Sequence, residues 1–158
     1  MISNIAKITV YVKNSAEAKK FWTENMGFVI REEQLMGPGM TWLETAPDYH
    51  AQTTIVLFER SRMEKANPQV STAHPSVVFT CADIEEEHRR LLSNGVIVDD
   101  IQKYPYGRMF SFYDQDHQVY LLRGSIRDRR GPALFKQHRS CAIQNSFLTT
   151  HARVHKQS

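Results

Sequence analysis

One supersecondary unit is written twice between residues 4 and 123, and that duplication limits the folds open to the chain more than any other feature. Lys7-Ile8-Thr9-Val10-Tyr11-Val12 leads into Asn14-Ser15-Ala16-Glu17 and a helix ending at Met26-Gly27-Phe28. Ser76-Val77-Val78-Phe79-Thr80-Cys81 leads into Asp83-Ile84-Glu85-Glu86 and a helix ending at Asn94-Gly95-Val96. Each copy reads as strand, capped helix, glycine stop and further strands. Two such units can pair so that their sheets curl around a shared hollow.

The periodicities support this. Ala6, Ile8, Val10 and Val12 alternate with Lys7, Thr9 and Tyr11, so the first strand has an apolar and a polar face. Asn14 caps the following helix and Glu17 completes a box-like cap. Ala18, Phe21, Trp22 and Met26 form the helical apolar stripe, and Gly27 ends it. Extended segments are predicted at Phe28–Glu33, Thr41–Thr45 and Thr53–Glu59, separated by Gly37-Pro38-Gly39 and Ala46-Pro47-Asp48. In the second unit Asp83 caps a helix with acidic residues early and Arg89 and Arg90 late, the order that suits the helix dipole. Ile84, Leu91 and Leu92 are its predicted buried stripe. Strands follow near Val96–Val98, Met109–Tyr113 and Gln118–Arg123.

The predicted architecture is therefore α+β, with tandem βαβββ modules forming a curled, cup-like mixed sheet. The domain spans 1–124, with modules at about 4–59 and 74–123 and a polar linker at 60–73. Residues 125–158 lose both periods and are expected to form a basic, disordered tail. Residues 1–123 carry 13 Lys+Arg and 16 Asp+Glu, whereas 124–158 carry 7 basic residues and a single Asp. The basic pI thus belongs to the tail, and no nucleic-acid partner is expected. No apolar run nears the ~20 residues that span a bilayer. The start lacks signal-peptide features, and Cys81 and Cys141 are too few for a disulfide or zinc framework. A cytoplasmic protein without membrane contact follows as the expectation.

Three stretches carry a resemblance to a known family. Val12…Phe21-Trp22…Met26-Gly27-Phe28 is similar to "V-x-D…F-Y…L-G-F". Asp83-Ile84…Leu91…Gly95-Val96 repeats that spacing, and Asp114-Gln115-Asp116-His117-Gln118-Val119-Tyr120-Leu121 is similar to "D-P-D-G-N-x-x-E-L". Together they resemble the vicinal oxygen chelate superfamily, which includes glyoxalase I, bleomycin-resistance proteins, fosfomycin-resistance enzymes and extradiol dioxygenases. The resemblance implies two half barrels enclosing a pocket, in homodimers. In its metal-dependent members it implies His, Glu or Gln ligands on the first and last strand of each module. Those places fall on Lys7, on Thr54 or Val56, on Ser76 and on Tyr120. An ammonium repels a divalent cation, and neutral hydroxyls or an alkyl group do not replace its usual ligands. His50, His74, His88, His117, Glu44 and Glu59 show no spacing that rebuilds a site, and no pair of these histidines has the His-x3-His spacing.

The resemblance implies a pocket lined by Lys7, Thr9, Tyr11, Trp42, Glu44, Ser76 and Tyr120, with Val78 and Thr80 on the second first-strand and Gln118 and Leu122 on the closing strand. Aromatic surface and a few polar groups suit a partly aromatic or anionic small molecule. Burial would favour the uncharged form of Lys7 unless a carboxylate such as Glu44 pairs with it, and such a pair could bind an anion, serve acid–base chemistry or plug an unused cup. Cys81 is read as a buried structural thiol. The expectation is a binding or sequestering protein without cofactor, working as a homodimer. The alternatives are a metal-dependent lyase, dioxygenase or thiol transferase with non-standard ligands, or a structural dimer with a filled cup. Catalytic residues are unassigned.

Overall fold

The computed structural model describes residues 1–125, so the basic tail expected beyond them lies outside the described residues. The elements are β1 (Lys7–Val12), α1 (Ser15–Lys20), β2 (Val29–Gly37), β3 (Met40–Ala46), β4 (Thr54–Glu59), α2 (Arg60–Ala66), β5 (Val78–Cys81), α3 (Ile84–Ser93), β6 (Ile97–Val98), β7 (Gln102–Tyr104), β8 (Gly107–Tyr113) and β9 (Val119–Gly124). They build an α+β structure with two mixed sheets. The first has order β1-β4-β3-β2; the second has order β5-β9-β8-β6, with β7 also paired to β8. In each, the opening strand lies parallel to the module's last strand. The helix following that first strand carries the chain across the sheet from one edge strand to the other, β1 to β2 and β5 to β6. No helix among the described residues is long and apolar enough to cross a membrane.

Both helices start as their caps predict. The Asn14 side chain accepts from the backbone N–H groups of Ala16 and Glu17 at 2.9 and 3.0 Å, and Asp83 accepts from Glu86 N–H at 2.9 Å. Their ends differ by one residue. α3 stops with Val96 N–H donating to Leu91 C=O, at Gly95 with φ +76°. α1 runs on into a wide π-type turn at Phe21–Asn25, and Phe28 N–H reaches back to Trp22 C=O at 2.8 Å. The extra residue sets Asn25 against Asn94. Each side-chain amide donates to the other's backbone carbonyl, at 2.6 and 2.9 Å. The two helix ends are thereby tied across the repeat.

Val10, Val12, Leu43, Ile55 and Leu57 from the first sheet meet Phe110, Phe112, Tyr120 and Leu122 from the second in one core, with Trp22, Ile84 and Leu91 from the helical segments. Trp22 is fully buried, and its ring lies 5.0 Å from Phe28, 6.0 Å from Phe79 and 5.3 Å from Tyr120. One side chain of the first module is thus in contact with both. Among the described residues its indole N–H has no hydrogen-bond partner, which costs ~1–3 kcal/mol. Burying an aromatic of this size contributes ~4–6 kcal/mol and outweighs that cost.

Three sequence expectations change. The linker 60–73 contains α2, whose residues favour helix but bury none of their number, so no apolar stripe announced it. β7 is three exposed residues without alternation. Leu92 is 52% exposed, because the next residue after Leu91 turns about 100° away from the core.

Trp22→Ala is expected to lower unfolding free energy by about 3–5 kcal/mol in a denaturant titration, with Trp22→Phe costing clearly less. Equal, small effects would show that the junction does not hold the modules.

Candidate functional site

Strand register decides which side chains share a face. β1 pairs with β4 so that Lys7 lies opposite Thr54, Thr9 opposite Val56 and Tyr11 opposite Phe58. β3 pairs with β4 through Glu44 and Val56, and with β2 through Trp42 and Gln34. Paired residues project to the same side. Lys7, Thr9, Tyr11, Thr54, Val56, Trp42 and Glu44 therefore occupy one face of the first sheet, while Val10, Val12, Leu43, Ile55 and Leu57 occupy the core face. Tyr11 and Val56 are buried yet do not belong to the main core cluster, so this face has its own small packed floor.

On that floor sits a carboxylate. Glu44 is 6% exposed; its Oε2 takes the Lys7 ammonium and its Oε1 accepts from the Thr54 hydroxyl at 2.7 Å. Lys7 Nζ also lies 5.3 Å from the centre of the Trp42 ring, within cation–π range. The lysine remains open to solvent, with 43% of its side chain exposed. Burial pushes the Glu44 pKa up. The hydrogen bonds from Lys7 and Thr54, the Lys7 charge and a smaller contribution from Trp42 outweigh it and hold the carboxyl below its ordinary value. Glu44 is thus a fixed anion under an accessible cation and an aromatic ring.

Of the residues placed in the pocket from sequence, Lys7, Trp42 and Glu44 are in mutual contact. Thr9 and Tyr11 share their face, and Tyr11 C=O accepts from Gln118 Nε2 at 3.2 Å. Ser76 is exposed and precedes β5. Thr54, which anchors Glu44, entered the sequence reading only as an unsuitable metal position; its pairing with Lys7 across β1 and β4 was the missing signal.

Tyr120 is a correction. It is fully buried on the core side, stacked on Phe112 at 5.1 Å, with its hydroxyl donating to Asp114 at 3.0 Å. Burial, and then the Asp114 charge, drive its pKa far upward, so it is a neutral structural phenol. The acidic turn closes with His117 at φ +61° and Asp114 N–H bonded to Gln118 C=O. From there the strand alternates, and Leu121, opposite Val78 and Ser111, holds the open face that the sequence reading gave to Tyr120. An offset of one residue in the motif exchanges the faces, so Leu122, also expected in the pocket, belongs to the buried core. Cys81 is only partly buried, with Sγ 3.8 Å from Arg123 C=O.

The places expected to hold metal ligands thus present an ammonium, hydroxyls or an alkyl group: Lys7, Thr54 or Val56, Ser76, and on the closing strand the buried Tyr120 with Leu121 on the open face beside it. Among the described residues no three His, Cys, Asp or Glu side chains converge. His74 Nε2 is engaged with Val119 C=O at 2.8 Å, and His88 Nε2 with Asp99 C=O at 2.9 Å. This donor set does not fit a divalent ion.

A family model described as the Glyoxalase/Bleomycin resistance protein/Dioxygenase superfamily matches residues 4–121. The uncharacterized protein YetH of Bacillus subtilis (strain 168) is 36% identical over 124 residues, covering 78% of this chain and 99% of its own. TnmS3, an antibiotic binding protein from Streptomyces sp. CB03234, is 29% identical, with a TM-score of 0.65 over 78% of this chain and 96% of its own. A glyoxalase/bleomycin resistance protein/dioxygenase superfamily member from Sphaerobacter thermophilus DSM 20745 reaches a TM-score of 0.67 at 22% identity, over 78% and 98% of the two chains. That last likeness concerns the fold.

The depressed Glu44 pKa gives a signed expectation. Its contribution to stability is complete above the unfolded carboxylate pKa of ~4.3 and is lost as pH falls through the lower folded value. The melting-temperature gap between the native chain and Glu44→Gln should be steady above about pH 5 and shrink on acidification. A gap unchanged down to pH 3 would contradict the buried ion pair.

Proposed function

We propose that this chain, which belongs to the Glyoxalase/Bleomycin resistance protein/Dioxygenase superfamily, is a cytoplasmic small-molecule-binding protein whose cup works without a metal ion. The observation that carries this reading is the Lys7–Glu44–Thr54 cluster beside Trp42. Glu44 fixes the lysine in place while leaving much of it open to solvent. A ligand's carboxylate or carbonyl oxygen accepts from the lysine, and its ring lies against Trp42. Tyr11 and Val56 keep the floor rigid and dry. Recognition of this type works by shape, stacking and one oriented polar contact. The likeness to TnmS3, an antibiotic binding protein, supports binding over turnover.

The homodimer belongs to the same reading. On the open face of the second sheet Val78 is 50% exposed and Val119 44% exposed, beside the partly buried Leu121. An apolar strip of this kind favours a partner surface over water. A second copy of the chain fits, because the cup face of its first sheet offers aromatic cover. Sedimentation equilibrium should give a dimer for the native chain and a monomer for Val78→Glu with melting temperature retained. A native monomer would remove this part of the reading.

For the ligand, anthraquinone-2-carboxylate is a planar anionic probe. It is expected to raise the melting temperature in a concentration-dependent way. Lys7→Met should weaken binding by about tenfold, the loss of one charge-assisted hydrogen bond. Unaltered affinity in Lys7→Met would refute the role given to the lysine.

A further inference from the structure

A concavity lies away from the Lys7 face, at the junction of the two modules. It has a volume of about 290 Å³. Met26, Gly27 and Phe28 enter from the end of the first helical segment, and Phe79, Cys81 and Leu122 from the core side of the second sheet. Its walls are largely apolar, with Phe28 and Phe79 edge to face at 5.9 Å and 82°. An engineered apolar cavity of ~150 Å³ holds benzene, so this space admits two fused rings.

One polar group points to a ligand type. Arg90 is clamped by Glu87, with Nε to Oε2 at 2.9 Å and Nη2 to Oε1 at 2.6 Å, and Nη2 also donates to Met26 C=O at 3.0 Å. Nη1 has no hydrogen bond among the described residues. Gly27 stands beside it with φ +75°, and a Cβ added there would lie 3.5 Å from that nitrogen. The glycine satisfies the helix stop and leaves Nη1 approachable. The guanidinium charge is already neutralised by Glu87, so a carboxylate entering here would meet that carboxylate's repulsion. A neutral carbonyl would not.

We infer that the junction is a second ligand site, which takes a neutral, two-ring aromatic molecule carrying a carbonyl oxygen that accepts from Arg90 Nη1. The rings lie between Phe28, Phe79 and Leu122. Because both modules supply the wall, an occupant clamps them together. The site is separate from the Lys7 face: Phe79, Cys81 and Leu122 sit on the opposite strand face from Val78 and Leu121, and Thr80 reaches its edge.

Titration of the full chain with indole-3-carbaldehyde, followed by amide chemical shifts, tests this. The Gly27, Phe28 and Cys81 amides should move while Lys7 and Glu44 stay still. Indole, which lacks the carbonyl, should bind about tenfold more weakly. Arg90→Lys should remove most of that difference. Cys81→Met, which fills the space, should abolish binding of both probes, and it decides the matter if the Arg90 variant does not fold. Shifts confined to the Lys7 face, no shifts near probe saturation limits, or equal affinity for the two probes would overturn the inference.

Discussion

Everything positioned in this molecule depends on the burial of Trp22 at the meeting of its two modules. A helix and a four-stranded sheet leave an apolar face that one βαβββ copy cannot cover by itself. Trp22 leaves its own helix to lie against Phe79 and Tyr120 of the other copy. The reciprocal Asn25–Asn94 bonds fix the angle of approach. With the helical sides committed to the shared core, the opposite faces of both sheets are left to do something else. The wide turn that ends the first helix is what allows this, since it swings Phe28 under the indole and opens the space beside Gly27.

The faces left over are unequal. The first sheet has a charged, organised floor: a buried carboxylate held by a lysine and a threonine, with a tryptophan alongside. The second has Val78, Val119 and Leu121 where a ligand or metal could have been held. A duplicated scaffold with such different linings is suited to one half that binds and one half that associates. The alternation of strands explains how the two roles coexist with a common core, because every substitution on the open face leaves the core face untouched.

Much of this was legible in the sequence. The caps at Asn14 and Asp83, the stops at Gly27 and Gly95 and the alternation of Lys7–Val12 are local signals, and they gave the elements and the shared faces. Parity put Trp42 and Glu44 on one face of their strand, which made Glu44 a carboxylate available to Lys7; the contact itself needed the β1–β4–β3 register. What local signals do not carry is registration between distant segments. Tyr120 was read onto the open face although D-P-D-G-N-x-x-E-L, laid on the chain from Asp114 with His117 in the glycine's place, puts its Glu at Leu121, the residue that pairs with Val78. The role of Thr54 needed the β1–β4 register. α2 and β7 bury nothing, so their periodicity is silent. The junction cavity arises only when the two copies meet, and neither copy shows it alone.

The claim at the centre of this account is that the cup binds through Lys7 and Trp42 with no metal ion taking part. Isothermal titration of anthraquinone-2-carboxylate into protein dialysed against EDTA, repeated after adding manganese, nickel or zinc, measures it directly. The account predicts the same affinity in every case. Binding that appears only with a divalent ion present would contradict it.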